Sequence, residues 1–135
     1  MKNLIQKLVE TNSPSGYEAS IRAVVRTEIE NFADEIQVDA LGNLIARKGA
    51  GKAGGQKIML AAHMDEIGVM ATHIDANGFV RFTTMGGVRS YNCLGGRVRF
   101  LNGTAGVISG ERLDELNKLP SFEQMFIDVG ASSRT

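Results

Sequence analysis

The sequence has a single cysteine, Cys93, and so cannot close an internal disulfide. A disulfide-stapled fold is excluded, and a reducing, cytoplasmic setting is expected. Net charge is absent as well. Fifteen Lys and Arg balance fifteen Asp and Glu, which leaves no overall field to draw the chain to nucleic acid or to an anionic membrane surface. No apolar run approaches the roughly 18 residues that mark a membrane-spanning helix. The opening stretch MKNLIQKLVE is broken by charge too often to be the apolar core of a signal peptide. Internal repeats and low-complexity tails are lacking too. What is plentiful is glycine, at 16 residues, which predicts many tight turns. With 135 residues, 43% of them apolar, the chain fits one domain or two small ones and has enough apolar surface to bury a core.

Leu4, Ile5, Leu8 and Val9 recur at helical spacing, which predicts a short amphipathic helix over 2–11. TNSPSG interrupts it. Ser15-Gly16-Tyr17-Glu18 has the capping-box pattern, with Ser13 and Ser15 read as caps, and Ile21, Val24, Val25, Ile29 and Phe32 carry a second helix to about residue 33. Ile36, Val38 and Ala40 alternate with polar neighbours, Leu41-Gly42-Asn43 reads as a turn, and Leu44 to Ala46 completes a hairpin. Lys57 to Ala62 is a continuous apolar run of the kind buried on both faces of a sheet, with His63 at its end. Beyond Gly68 the texture changes to short strands over 69–74, 79–84, 97–101 and 105–108 with Gly-rich turns between them, which suggests a small barrel or sandwich. Residues 113–119 read as one or two helical turns, and 126–129 as a further strand.

Gly49-Ala50-Gly51-Lys52-Ala53-Gly54 matches the dinucleotide fingerprint G-x-G-x-x-G by letter. Its context does not fit. The fingerprint works when its third glycine opens a helix whose N-terminus holds the pyrophosphate, whereas here the chain runs on into KIMLAA. Ala53 also lacks the hydroxyl that a phosphate loop offers to magnesium. A flexible connection is expected. His63 and Asp65 are two residues apart, so in an extended segment they share a face. Imidazole suits zinc or cobalt, and a neighbouring carboxylate fixes the ring and its tautomer. Spacing alone leaves two readings open: a metal site, or a histidine capping a strand beside solvated Asp65 and Glu66.

A longer series decides between them. TNSPSGYE, VDALGNLIA, IMLAAHMDEIGVM, HIDANGFVRF and FIDVGASS follow one another in an order that resembles the N-terminal part of the deblocking or glutamyl aminopeptidases, tetrahedral metallo-aminopeptidases of which some carry an endoglucanase label. The resemblance runs over nearly the whole chain. It implies an α/β catalytic domain with two divalent metal ions, zinc or cobalt, interrupted by a β-rich, barrel-like insert that mediates homo-oligomerisation, and it implies peptide substrates. On that pattern residues 1–68 are the N-terminal part of the α/β metallopeptidase domain. Residues 69–124 are the insert, and 125–135 is a return strand toward the first domain. His63 matches the family's first metal ligand, and Asp65 the catalytic-site carboxylate that orients it. The remaining ligands and the general-base glutamate of the family fall beyond a point corresponding to Thr135, so the 135-residue chain is expected to be inactive by itself. Ser109-Gly110-Glu111-Arg112-Leu113 departs from the Pro- and His-containing turn of many relatives.

Other candidates rank lower. His73 alternates with apolar neighbours in a strand and is expected to be structural. Glu111, Asp114 and Glu115 read as a solvated acidic face, and Cys93 as a packing residue. No His or Asp stands at a spacing that makes Ser13 or Ser15 a recognisable nucleophile. Glycoside hydrolysis needs two carboxylates flanking one bond, and no such pair can be located. The alternatives to an aminopeptidase are a related metal-dependent amidohydrolase or deacetylase, and a non-catalytic assembly module.

Overall fold

The computed structural model describes residues 1–49, 54–113 and 118–134. The chain divides into two compact units, Met1–Glu66 and Ile67–Thr135. The first holds helix α1 (Lys2–Val9), helix α2 (Ala19–Ile29) and the hairpin β1 (Glu35–Val38) and β2 (Leu44–Arg47). Lys7 on α1 and Glu28 on α2 pair at 2.7 Å. In the hairpin Val38 faces Leu44 and Glu35 faces Arg47, the latter pair also bridged through their side chains at 3.0 Å. Its turn is organised by Asp39, whose carboxylate accepts from the N–H groups of Leu41 and Asn43, at 2.9 Å each, and from Asn43 Nδ2 at 2.8 Å. An Asp that satisfies its own turn's donors is the local reason the chain reverses here.

Two expectations for this unit are corrected. Helix α2 stops at Ile29 rather than running to residue 33. Phe32, which extended the apolar pattern, is 73% exposed, and its N–H closes back on the Ile29 carbonyl. A spacing match without a surface to pack against does not prolong a helix. The larger correction concerns Lys57 to Ala62, which forms no strand: Ile58, Met59 and Leu60 are 85%, 87% and 94% exposed. A strand exists only as half of a hydrogen-bonded pair. Among the described residues, no segment pairs with this one. The Gly-rich connection before it has residues 50–53 outside the described residues.

The second unit holds β3 (Gly68–Ile74), β4 (Val80–Met85), a one-turn helix α3 (Ser90–Cys93), β5 (Arg97–Arg99), β6 (Ala105–Gly110), a 3₁₀ turn at Phe122–Gln124 and β7 (Met125–Asp128). They make one curled antiparallel sheet, half a barrel, in the order β3-β4-β7-β6-β5. Among the described residues the sheet closes into neither a barrel nor a two-layer sandwich, since β3 and β5 end it. Met125–Asp128 is the central strand of this sheet, between β4 and β6. Alternation sets which side chains go inward. Val80 and Phe82 of β4, Ile108 of β6 and Met125 and Ile127 of β7 form the core with Cys93. Gly106 permits the β6–β7 approach, because a Cβ there would lie 2.5 Å from Ile127 Cγ2. Of the helical turns expected over 113–119, residues 114–117 lie outside the described residues.

Candidate functional site

Within the first unit, the segments 13–16 and 63–66 are joined by a small polar clamp. Pro14 and Glu66 form a parallel bridge. Ser13 holds Glu66 twice: its carbonyl accepts from the Glu66 N–H, and its own N–H donates to Glu66 Oε1, both at 2.9 Å. Ser13 is 1% exposed, and its hydroxyl donates to the Thr11 carbonyl at 3.3 Å. The chain then turns over Pro14–Tyr17, closed by the Tyr17 N–H on the Pro14 carbonyl at 2.8 Å. Gly16 sits at φ 88°, a left-handed position that a glycine adopts without strain. That turn carries the Ser15 hydroxyl to Asp65.

Ser15 Oγ donates to Asp65 Oδ2 at 2.5 Å, and Asp65 Oδ1 lies 3.0 Å from His63 Nδ1. The Asp65 carbonyl oxygen is 3.1 Å from the same ring nitrogen. Both groups facing Nδ1 are acceptors, so Nδ1 carries the proton, and in the neutral ring the lone pair is on Nε2. The Ser15 hydroxyl, and after it the His63 ring, hold the Asp65 carboxyl below the usual carboxylate range. Asp65 is therefore an anion at neutral pH, as a ring-orienting group must be. The His63 side chain is 87% exposed. A carboxylate-held imidazole with a free Nε2 is the donor that metal-ligating histidines present. Among the described residues there is no group of three or more His, Cys, Asp or Glu that could hold a metal ion.

The capping-box reading is thereby corrected. Helix α2 has Glu18 as its N-cap, with no side-chain cap bond. Glu18 Oε1 instead accepts from the Gly16 N–H. A cap uses the serine oxygen as an acceptor of a backbone N–H, whereas the Ser15 hydroxyl is turned to donate to the Asp65 carboxylate. His63 and Asp65, singled out by their spacing, do lie side by side, and Ser15, read as a cap, is their third partner. Fifty positions separate Ser15 from Asp65, and no local pattern encodes such a pairing.

The second unit offers a cavity of about 460 Å³ lined by His73, Arg81, Asp75, Glu111 and Glu123, among others. Its centre is compensated. Arg81 pairs with Glu111 at 2.9 Å and with Asp75 at 3.6 Å, donates to the Glu123 carbonyl, and lies 5.7 Å from the Phe126 ring centre. Glu111 is thus the partner of an arginine and not merely solvated, while Asp114 and Glu115 lie outside the described residues. Cys93 is a packing residue, as expected. Its thiol donates to the Arg89 carbonyl, and burial pushes its pKa up, the opposite of what a reactive thiolate needs.

Comparison with known proteins gives this arrangement its context. The model of the M42 glutamyl aminopeptidase family matches residues 42–135. A protein of Acetivibrio thermocellus that carries an aminopeptidase name is 49% identical over 135 residues, covering 99% of this chain and 40% of the relative. The structure of an aminopeptidase from the archaeon Desulfurococcus kamchatkensis superposes with a TM-score of 0.87 at 40% identity, over 98% of this chain and 38% of that one. The TET1 peptidase of Pyrococcus horikoshii, described as assembling into a tetrahedron or a large octahedral shell, gives 0.84 at 34% identity, over 98% and 41%. The chain belongs to the M42 glutamyl aminopeptidase family. It spans about two-fifths of the length of the relatives it matches.

Proposed function

We propose that the chain is the N-terminal part of a metal-dependent aminopeptidase, in which His63 Nε2 is one ligand of a divalent ion and Asp65 fixes the His63 ring. The observation that carries this reading is the Ser15–Asp65–His63 arrangement in a chain of this family. His63 fits one ligand position. The described residues do not complete a coordination shell, so a full site, with two ions of zinc or cobalt, draws its other donors from the part of the relatives' length that this chain does not span. When bound, such an ion lowers the pKa of a coordinated water and polarises the scissile carbonyl. What this chain contributes is a neutral imidazole of fixed tautomer and a carboxylate that stabilises it.

The substrates of the whole protein are peptides with a free amino terminus, and its setting is the cytoplasm. Residues 69–124 are the surface through which copies associate, a reading supported by the shells that the Pyrococcus horikoshii relative forms. A second reading, a non-catalytic assembly module, has one observation in its favour: the buried core cluster belongs entirely to Ile67–Thr135. A peptidase assay with metal analysis on the full-length protein separates the two. The expected result is release of N-terminal residues by the wild type, with His63→Ala losing one metal per subunit and nearly all turnover. Full activity in His63→Ala sinks the assignment. A full-length protein with neither metal nor turnover supports the assembly module.

A further inference from the structure

Asp65 has two carboxylate oxygens, and the structure gives each a separate partner. Oδ1 faces His63 Nδ1 at 3.0 Å, and Oδ2 accepts from Ser15 Oγ at 2.5 Å. An exposed carboxylate with a single partner rotates about χ2, a broad and soft torsion, and its two oxygens exchange places. With the second oxygen tied to another segment, that rotation is restrained. Ser15 is itself placed by more than its own rotamer. It follows Pro14, which is bridged to Glu66, and Ser13, whose backbone grips Glu66 at both ends. The Ser15 hydroxyl is therefore delivered from a turn fixed to the residue next to Asp65.

We propose that Ser15 is a positioning residue for His63, acting through Asp65: its hydroxyl locks the carboxylate so that Oδ1 holds the His63 ring as the Nδ1–H tautomer with Nε2 bare. Ser15 is not assigned as a nucleophile, because its hydroxyl meets not the imidazole but a carboxylate held below the usual range, a weak base for an alcohol proton. The role rests on the reading of His63 as a ligand only for its purpose. The relay itself is a property of the metal-free chain.

The test is a long-range ¹H–¹⁵N NMR spectrum of the histidine rings in the metal-free 135-residue chain, recorded over a pH series so that the neutral form of each ring is read. The chain has two histidines, so His73 is the internal reference. Wild type is expected to show His63 with the proton on Nδ1. Ser15→Ala is expected to lose that signature and move toward the Nε2–H form that an unpartnered imidazole favours. Ser15→Thr, which keeps a hydroxyl, restores it. Ser13→Ala removes a buried hydroxyl of the same segment, the one bonded to the Thr11 carbonyl, without touching Asp65, and is expected to leave the His63 tautomer as in wild type. An unchanged tautomer in Ser15→Ala, or an equal change in Ser13→Ala and Ser15→Ala, overturns the proposal. None of these outcomes depends on whether His63 binds metal, which the metal analysis of His63→Ala decides separately.

Discussion

The two units of this chain are held by different forces. In Ile67–Thr135 six residues from three strands and a helical turn, Val80, Phe82, Cys93, Ile108, Met125 and Ile127, bury one another, with Met125 and Ile127 fully inaccessible. In Met1–Glu66 the buried residues among those described are Ile21 and Ser13, and the apolar stretch around Leu60 is almost wholly exposed. The association between segments 13–16 and 63–66 is polar. The lesson is that chemistry and stability are placed apart. The unit with the self-contained core carries no candidate ligand, and the unit with the candidate ligand leaves its apolar run uncovered.

The largest expected effect follows from that contrast. Met125→Ala or Ile127→Ala, each emptying a fully buried site, is expected to cost about 2–5 kcal/mol of the stability of the second unit, measured by denaturant unfolding. Leu60→Ala in the same chain is expected to stay within about 0.5 kcal/mol, as substitutions at exposed positions do. A comparable loss for Leu60→Ala would break the comparison, since it would mean that the run is covered in solution.

A smaller effect is expected where the hold is polar. Asp65→Asn removes the charge that favours the His63 ring and the Ser15 hydroxyl. In the full-length protein it is expected to lower metal affinity or turnover about 10 to 100-fold, the usual consequence of losing a ligand's partner, while measurable metal remains. Complete loss of metal in this variant would place Asp65 among the ligands themselves.

The smallest effect belongs to the hairpin turn. The Asn43 side chain, with the backbone N–H groups it faces, holds the Asp39 carboxyl below its ordinary value. A depressed carboxylate contributes stability above the unfolded pKa, about 3.9, and that contribution is lost as pH falls through the folded value. The Leu41 and Asn43 amide resonances should therefore keep their positions down to about pH 4 and shift below it, and Asp39→Ala should show the shifted positions at neutral pH. Resonances that ignore acid would show that the turn stands without its carboxylate.

Much of this was legible in the sequence because it is local. The hairpin came from alternation around Leu41-Gly42-Asn43, and the five strands of the second unit from short apolar runs punctuated by glycine. His63 and Asp65 were visible because two residues fit within one motif. What stayed hidden is what depends on distant partners. KIMLAA reads as a buried strand, yet whether it is one is decided by neighbours that its own residues do not specify. Ser15 reads as a cap because a helix start lies three residues on, while its actual acceptor lies fifty positions away. The central placement of β7 is likewise set by which strand edges are open, not by the residues of FIDVG.

The most direct test of the account is metal retention, measured by elemental analysis after dialysis of cobalt- or zinc-loaded samples, in the 135-residue chain beside the full-length protein. One imidazole is a weak site, whereas a catalytic zinc has about three protein ligands and a water. No retained metal is expected in the 135-residue chain, and two ions per subunit in the full-length protein. A stoichiometric ion held by the 135-residue chain, or a full-length protein that keeps both ions when His63 is alanine, would contradict it.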